Sequence, residues 1–318
     1  MKEKFPSNLK KRRLLTMKTN EADLRVKSEL NKYKTFFEDY LNDSSELRNK
    51  GVPDKLLEAM DYSLFAGGKR LRPVLCLAAA ERCGCSINDA LPLALGFEML
   101  HTATLIHDDL PCMDDADMRR GKPSNHALFG ETMAVLAGDA LLALSFEYPL
   151  CHSINIEPCK LLRAMQIFSC AVGPAGVCGG QVLDMNTAPA AIDPNYVRKI
   201  ASLKTGTLIR AAVTAGAALG TDDQNILSSF YDYGTHIGSA FQIIDDILDV
   251  SSTAEELGKT PGKDAEQGKL THVSVYGMEK AIKMAEQETK LAKRSILKLF
   301  PEEDFLSEFT EYLLRRTF

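Results

Sequence analysis

Residues 97–126 read FEMLHTATLIHDDLPCMDDADMRRGKPSNH. The first half is an almost wholly apolar helix pattern, and a helix that is apolar all round belongs in a core. That pattern ends in Asp108 and Asp109 and is followed by Asp114, Asp115, Asp117, Arg119, Arg120 and Lys122. Carboxylates packed this closely repel one another unless a cation lies among them. Side-chain oxygens alone favour a hard cation, with Mg²⁺ first, and Mg²⁺ is usually shared with substrate phosphates. The arginines suit those phosphates, because a guanidinium matches phosphate oxygens in bidentate fashion. The stretch therefore reads as a Mg²⁺–diphosphate site at the mouth of an apolar helix bundle. The competing reading is a solvated acidic loop after a core helix.

A second cluster favours the site. Residues 241–250 read FQIIDDILDV, again an apolar helix that carries an aspartate pair. Asp245 and Asp249 are four apart, which places them about 40° apart on one helix face. A buried helix tolerates ionised carboxylates only when something compensates them. The pairs 108/109 and 245/246 therefore suggest facing walls with metal between them, a known way to build a site in a bundle. Asp108 and Asp114 would lie about 240° apart on an unbroken helix. Pro111 breaks that helix and lets Asp114 return.

The chain has 318 residues, 45% hydrophobic and 25% charged, enough for one large helical domain or two smaller ones. A net charge of −5 gives no case for general nucleic-acid binding. No unbroken apolar run reaches the roughly 18 residues of a transmembrane helix. The eight cysteines form no regular framework, and several lie in apolar helix patterns, so reduced, buried thiols and a reducing compartment are expected. Residues 1–20 are basic and polar and lack the apolar segment of a secretory signal. They are expected to be a disordered tail before a domain spanning 21–318, with a cytoplasmic location; an organelle-targeting role for the tail stays open.

Helical periodicity covers most of the remaining chain. Amphipathic patterns run over 22–41 and from Pro53 to Gly67-Gly68. Lys69-Arg70-Leu71-Arg72 then puts three cations before Pro73, which suits the first residue of a new helix. Lys69 and Arg72 would sit at a helix start, where free N–H groups attract anions, unless this is a basic surface turn. The apolar helix 88–107 carries His101 about two turns before Asp108. A lone histidine there is usually a satisfied core residue, and its nearness to the aspartates keeps a ligand role open. Helices follow over 131–148 and 158–173, then Gly179-Gly180-Gln181 with Asp184 opens or kinks the next. Lys204-Thr205-Gly206 interrupts the apolar pattern 196–219, where a lysine either snorkels outward or meets an anion. After the helix 226–248 comes LGKTPGKDAEQGK (257–269) with Lys259, Lys263 and Lys269. It reads as a lid that closes cations over phosphates, or as a surface loop. Two amphipathic helices separated at Pro301 complete the chain, and no strand-like alternation of useful length is seen.

Taken together these words resemble the trans-isoprenyl diphosphate synthases, the farnesyl, geranylgeranyl and longer-chain enzymes. They are GGKRLRP (67–73), LIHDDLPCMDDADMRRGKP (105–123), GGQ with Asp184, KTG (204–206), FQIIDDILD (241–249) and GKTPGKD…GK (258–269), in family order. The four-residue spacer between Asp109 and Asp114 is similar to the bacterial and plant-type branch. The CxxxC motif of some plant enzymes, linked to heteromer formation, is absent: Cys76 is followed by Ala80.

The resemblance implies an all-α, single-domain bundle of about ten or more core helices around a deep apolar cavity. It also implies a homodimer and Mg²⁺, on the order of three ions shared with the allylic diphosphate. By resemblance, Asp108, Asp114, Asp245 and Asp249 hold metal, with Asp109 in support. Arg119, Lys204 and Lys259 bind the allylic diphosphate (dimethylallyl, geranyl or farnesyl), and Lys269 belongs to the same substrate-binding loop. Lys69, Arg72, His101 and Arg120 bind isopentenyl diphosphate. Thr205 and Gln242 face the developing carbocation with oxygen atoms, beside Lys204. Leu100, Ala103 and Thr104, on the helix below Asp108, would set product length. Farnesyl synthases of similar type usually carry an aromatic residue at the position of Ala103, so geranylgeranyl diphosphate is the expected product, with farnesyl or longer products as alternatives. A terpene cyclase would need only one diphosphate site, and a non-catalytic subunit would be expected to have lost one aspartate cluster. A carboxylate di-iron bundle would need Glu-x-x-His pairs, which the sequence lacks.

Overall fold

The computed structural model describes residues 21–44, 51–185, 194–251 and 270–315. The N-terminal tail 1–20 and the loop with Lys259, Lys263 and Lys269 lie outside the described residues. Among the described residues the elements run α1 Glu21–Asp43, α2 Asp54–Leu64, α3 Leu71–Arg82, α4 Ile87–Asp108, β1 Met118–Arg119, β2 Lys122–Pro123, α5 Asn125–Phe129, α6 Glu131–His152 and α7 Pro158–Val172. Then come α8 Val177–Met185, α9 Pro194–Ile200, a π-helix Ala201–Gly206, α10 Thr207–Gly220, α11 Gln224–Ser251, α12 His272–Tyr276, α13 Met278–Leu297 and α14 Phe305–Arg315. The fold is all-α.

Burial follows composition. On α1 only Val26, Tyr33, Phe37 and Leu41 of its apolar residues turn fully inward, spaced as one helix face. On α4 every residue from Ala90 to Leu100 is buried, and α10 is buried over nearly its whole length. These two apolar-all-round helices form the centre. α4 packs on α3 and α6, while α10 packs on α3, α7 and α11, so one hydrophobic cluster runs through all of them. α11 lies against α10 on one side and α13 on the other. The C-terminal ends of α4 and α11 carry the two aspartate clusters.

Several sequence expectations are corrected. α3 begins at Leu71, so Pro73 is its third residue; Arg70 precedes it in left-handed backbone, φ 50°. The two amphipathic helices expected over 275–318 are present as α13 and α14 on either side of Pro301, and the short helix α12, which was not expected, precedes them and ends at Gly277, φ 78°. A two-residue hairpin pairs Met118–Arg119 with Lys122–Pro123. Its turn residues Arg120 and Gly121 both have positive φ, 53° and 76°, as a type I′ turn requires. All eight cysteines are free, as expected, but five are exposed: Cys112 lies in the turn after α4, and 151, 159, 170 and 178 are presented outward by their helices. Among the described residues two segments, Glu131–His152 and Pro158–Met185, are long and apolar enough to cross a membrane, by length and composition only. No unbroken run produces this; their sparse charges raise the average.

A candidate active site between two aspartate clusters

The first wall forms where α4 stops. The Asp114 N–H donates to the Asp108 carbonyl at 2.8 Å and the Ala116 N–H to Asp109 at 3.1 Å, so the chain turns back at Pro111. Asp109 is 2% exposed and is gripped by Arg119, whose Nε lies 3.0 Å from each carboxylate oxygen. Asp108 is half-buried. Burial pushes its carboxyl up to about 6; Asp114 and Asp109 add to the rise, and Lys204 and Arg119 oppose it.

The basic side is organised by a residue the sequence reading left without a role. The Arg70 side chain is fully buried, donating to Glu38 at 2.9 Å, Glu98 at 2.7 Å and the Leu64 carbonyl at 2.8 Å. Arg70 thus anchors the GGKRLRP turn, while Lys69 is exposed and Arg72 half-buried. Arg120 reaches the Gly67 carbonyl, and a Cβ on Gly68 would meet its guanidinium carbon at 2.9 Å. Gly68, at φ 125° where side chains are strained, thus leaves room for that guanidinium beside the turn. Burial lowers Arg72 to about 10, with Glu98 and Asp245 opposing and Arg120 adding to the fall. His101 is held well below the ordinary histidine range by burial and by Arg72, Arg120, Arg119 and Arg70, so its imidazole is neutral. A cleft lined by Thr102, Asp109, Arg119, Arg120 and Lys122 opens here.

The opposite wall is built on α8, the π-helix and α11. A π-helix widens the backbone by one residue per turn and is common at functional sites. This one presents Lys204 and Thr205. Gly180 allows it: a Cβ there would lie 2.3 Å from the Lys204 backbone nitrogen. The close approach brings Asp184 to Lys204, Nζ to Oδ2 at 2.5 Å. Thr205 donates to Gln242 at 2.7 Å, and Gln242 donates to Asp246 at 2.8 Å. Asp246 also accepts from the His272 backbone N–H at 2.8 Å and from its Nδ1 at 2.7 Å. Asp245 is half-buried and Asp249 buried. Asp184, Lys204, Thr205, Gln242, Asp246 and His272 line one cleft.

The two walls feel one another. Lys204 acts on Asp108, and Asp245 acts on Arg72. Asp108, Asp109, Asp114, Arg119 and Lys204 thus lie near one another, and so do Arg72, His101, Arg120 and Asp245. Leu100 and Ala103 lie below them in the core, 1% and 2% exposed, and the half-buried Thr104 donates to the His101 carbonyl at 2.8 Å. Arg70, Glu98 and His272 were given no role from sequence, and Asp246, read there as half of a metal-holding pair, instead holds Gln242 and His272. Glu98 had a signal, as the one charge within the apolar run of α4. His272 had none, because its partner Asp246 is 26 residues away.

The residues suit a divalent cation without forming a cage. Among the described residues no three His, Cys, Asp or Glu converge on one point. Mg²⁺ needs no such cage, being held by one or two carboxylates plus substrate phosphates. A carboxyl pushed upward by burial and by neighbouring carboxylates is one whose charge a cation would restore.

Known proteins share this fold. A geranyltransferase from Helicobacter pylori, solved in complex with magnesium and isoprenyl diphosphate, superposes with a TM-score of 0.74 at 31% identity, covering 88% of this chain and 95% of that one. A geranyltransferase from Legionella pneumophila superposes at 0.80 with 32% identity over 93% and 98% of the two chains. The fold is that of an isoprenoid-synthase helical bundle. A geranylgeranyl diphosphate synthase of Cyanophora paradoxa is 42% identical over 88% of this chain and 93% of its own length. The polyprenyl synthetase family model matches residues 53–308, and the chain belongs to that family.

Proposed function

We propose that the protein joins isopentenyl diphosphate head-to-tail to allylic diphosphates, releasing diphosphate, with geranylgeranyl diphosphate as main product. The observation that carries the reading is the pair of coupled walls, with Lys204 acting on Asp108 and Asp245 on Arg72. Two separate basic groups then serve two diphosphates. Arg119 and Lys204, with Lys259 and Lys269 of the loop, take the allylic one; Lys69, Arg72, Arg120 and the neutral His101 take isopentenyl diphosphate. Asp108, Asp114, Asp245 and Asp249 would hold Mg²⁺, with Asp109 in support through its grip on Arg119. When bound, Mg²⁺ would offset the charge that develops on the leaving diphosphate.

The cationic side chains stabilise that same charge as the C–O bond breaks. Thr205 and Gln242 turn oxygen atoms toward the allylic cation. The double bond of isopentenyl diphosphate attacks it, and a proton leaves to the departing diphosphate. The apolar walls keep water from quenching the cation. No protein nucleophile is required. A homodimer and a cytoplasmic location complete the proposal; eight unpaired cysteines support a reducing compartment.

The direct test is incubation with farnesyl diphosphate, isopentenyl diphosphate and Mg²⁺. Diphosphate release that needs both substrates is expected. Release from farnesyl diphosphate alone would point to a cyclase instead. Product length rests on α4: Thr104 lies about one turn below Asp108, and Ala103 is small where an aromatic residue would floor the path. Ala103→Tyr is expected to shift the product to farnesyl diphosphate while activity persists. Chromatography of the dephosphorylated alcohols reads the change, and wild-type protein that stops at farnesyl with excess isopentenyl diphosphate would overturn the assignment.

A further inference from the structure

We infer that His272 is a positioning residue that fixes, through Asp246 and Gln242, the direction in which the Thr205 hydroxyl points. The inference rests on the condensation reading above. Four hydrogen bonds form one chain: Thr205 Oγ1 to Gln242 Oε1 at 2.7 Å, Gln242 Nε2 to Asp246 Oδ1 at 2.8 Å, and His272 N and Nδ1 to Asp246 Oδ2 at 2.8 and 2.7 Å.

The polarity of the chain is set at its acidic end. A carboxylate only accepts hydrogen bonds, so Gln242 must turn its NH₂ toward Asp246 and its carbonyl toward Thr205. The carbonyl also only accepts, so Thr205 must place its single proton there. What the hydroxyl has left is two lone pairs and no proton. In a cleft where an allylic cation forms, that is the favourable orientation. The reversed chain, with the amide flipped, would release the Thr205 proton toward the cation.

His272 is what commits Asp246 to this duty. Its two N–H groups occupy Oδ2 and leave Oδ1 for Gln242. Both residues are deeply buried, His272 at 1% and Asp246 at 4% exposed, so water is a poor substitute for either donor. The start of α12 is itself fixed by a reciprocal pair, Ser274 N to Thr271 Oγ1 at 3.1 Å and Thr271 N to Ser274 Oγ at 2.9 Å. That holds the His272 backbone N–H in place whatever the side chain does. Removing the imidazole therefore removes one of two donors and should loosen the chain without dismantling it.

The test compares His272→Leu, His272→Asn, Thr205→Val and the double variant His272→Leu/Thr205→Val in the full chain. Asparagine carries an N–H on the atom bonded to Cγ, as Nδ1 is, and so restores the donor. Wild-type condensation is measured first. His272→Leu is expected to lower kcat about tenfold, with KM for both diphosphates within about twofold of wild type. His272→Asn should recover most of that loss, and the double variant should be no slower than Thr205→Val alone, since both act on one group. Unchanged kcat in His272→Leu, losses that multiply in the double variant, or failure of His272→Asn to recover would each overturn the positioning role. Those results with an active wild type remove this inference only; a wild type that does not condense removes the functional reading and this inference with it.

Discussion

A carboxyl that titrates near 6 weakens the fold that holds it. Asp108 has an ordinary value of 3.8 and is pushed up to about 6, by burial first and then by Asp114 and Asp109. Between those values the folded protein holds a proton that the unfolded chain has released. The penalty is thus fully present above about pH 6 and fades as pH falls toward the unfolded value. Asp108→Asn is expected to stabilise the ligand-free protein at pH 7 by about 1–2 kcal/mol, after discounting for partial exposure. The gain should vanish near pH 3.5, and turnover should be lost at every pH. Thermal melts of both proteins at the two pH values check this. Asp108 and Arg119 were legible in sequence because their chemistry lies in adjacent letters. Arg70 was not, although it stands between Lys69 and Arg72: its left-handed φ of 50° and its bonds to Glu38 and Glu98 depend on helices 32 and 28 residues away.

At the scale of elements, periodicity revealed what packing uses and missed what local geometry adds. The apolar helices of the core read directly, since an all-round apolar pattern has one stable placement. The hairpin was hidden because each strand is two residues long, too short for alternation to register. The π-helix was hidden because nothing in ASLKTG (201–206) distinguishes a widened turn from an ordinary helical one with a polar interruption. Yet GGQ, Asp184 and KTG were noticed separately, and Gly180 explains why they belong together: it seats α8 on the Lys204 backbone. Gly180→Ala puts a methyl 2.3 Å from that nitrogen, with backbone rather than a flexible side chain in the way. Helix and π-helix must part, at a cost of about 1–3 kcal/mol. The Asp184–Lys204 pair should open with them. A lower Tm together with a raised KM for the allylic diphosphate is expected. A Tm drop with unchanged KM would mean that the close approach serves packing alone.

For the whole molecule the open question is what covers α6. Of the apolar window in Glu131–His152 only 39% is buried. Val135, Leu136 and Leu150 are 40%, 49% and 55% exposed, and Leu128 on the preceding helix α5 is 50% exposed. Leu136 and Leu150 lie fourteen apart, which returns to nearly the same face of a helix. Charges interrupt that face at Asp139 and Glu147, both exposed, which would be costly in hydrocarbon and acceptable at a protein interface. A second copy of the chain is therefore the proposed cover. In a twofold dimer one substitution removes its contact twice. At about 2 kcal/mol for each buried leucine, Leu136→Asp would weaken association by about 4 kcal/mol, or roughly a thousandfold in Kd. Sedimentation velocity at micromolar protein should show wild type as a dimer and Leu136→Asp as a monomer with its helical circular dichroism intact. A monomeric wild type that floats with lipid vesicles would mean that this face meets a membrane, and the homodimer would be ruled out.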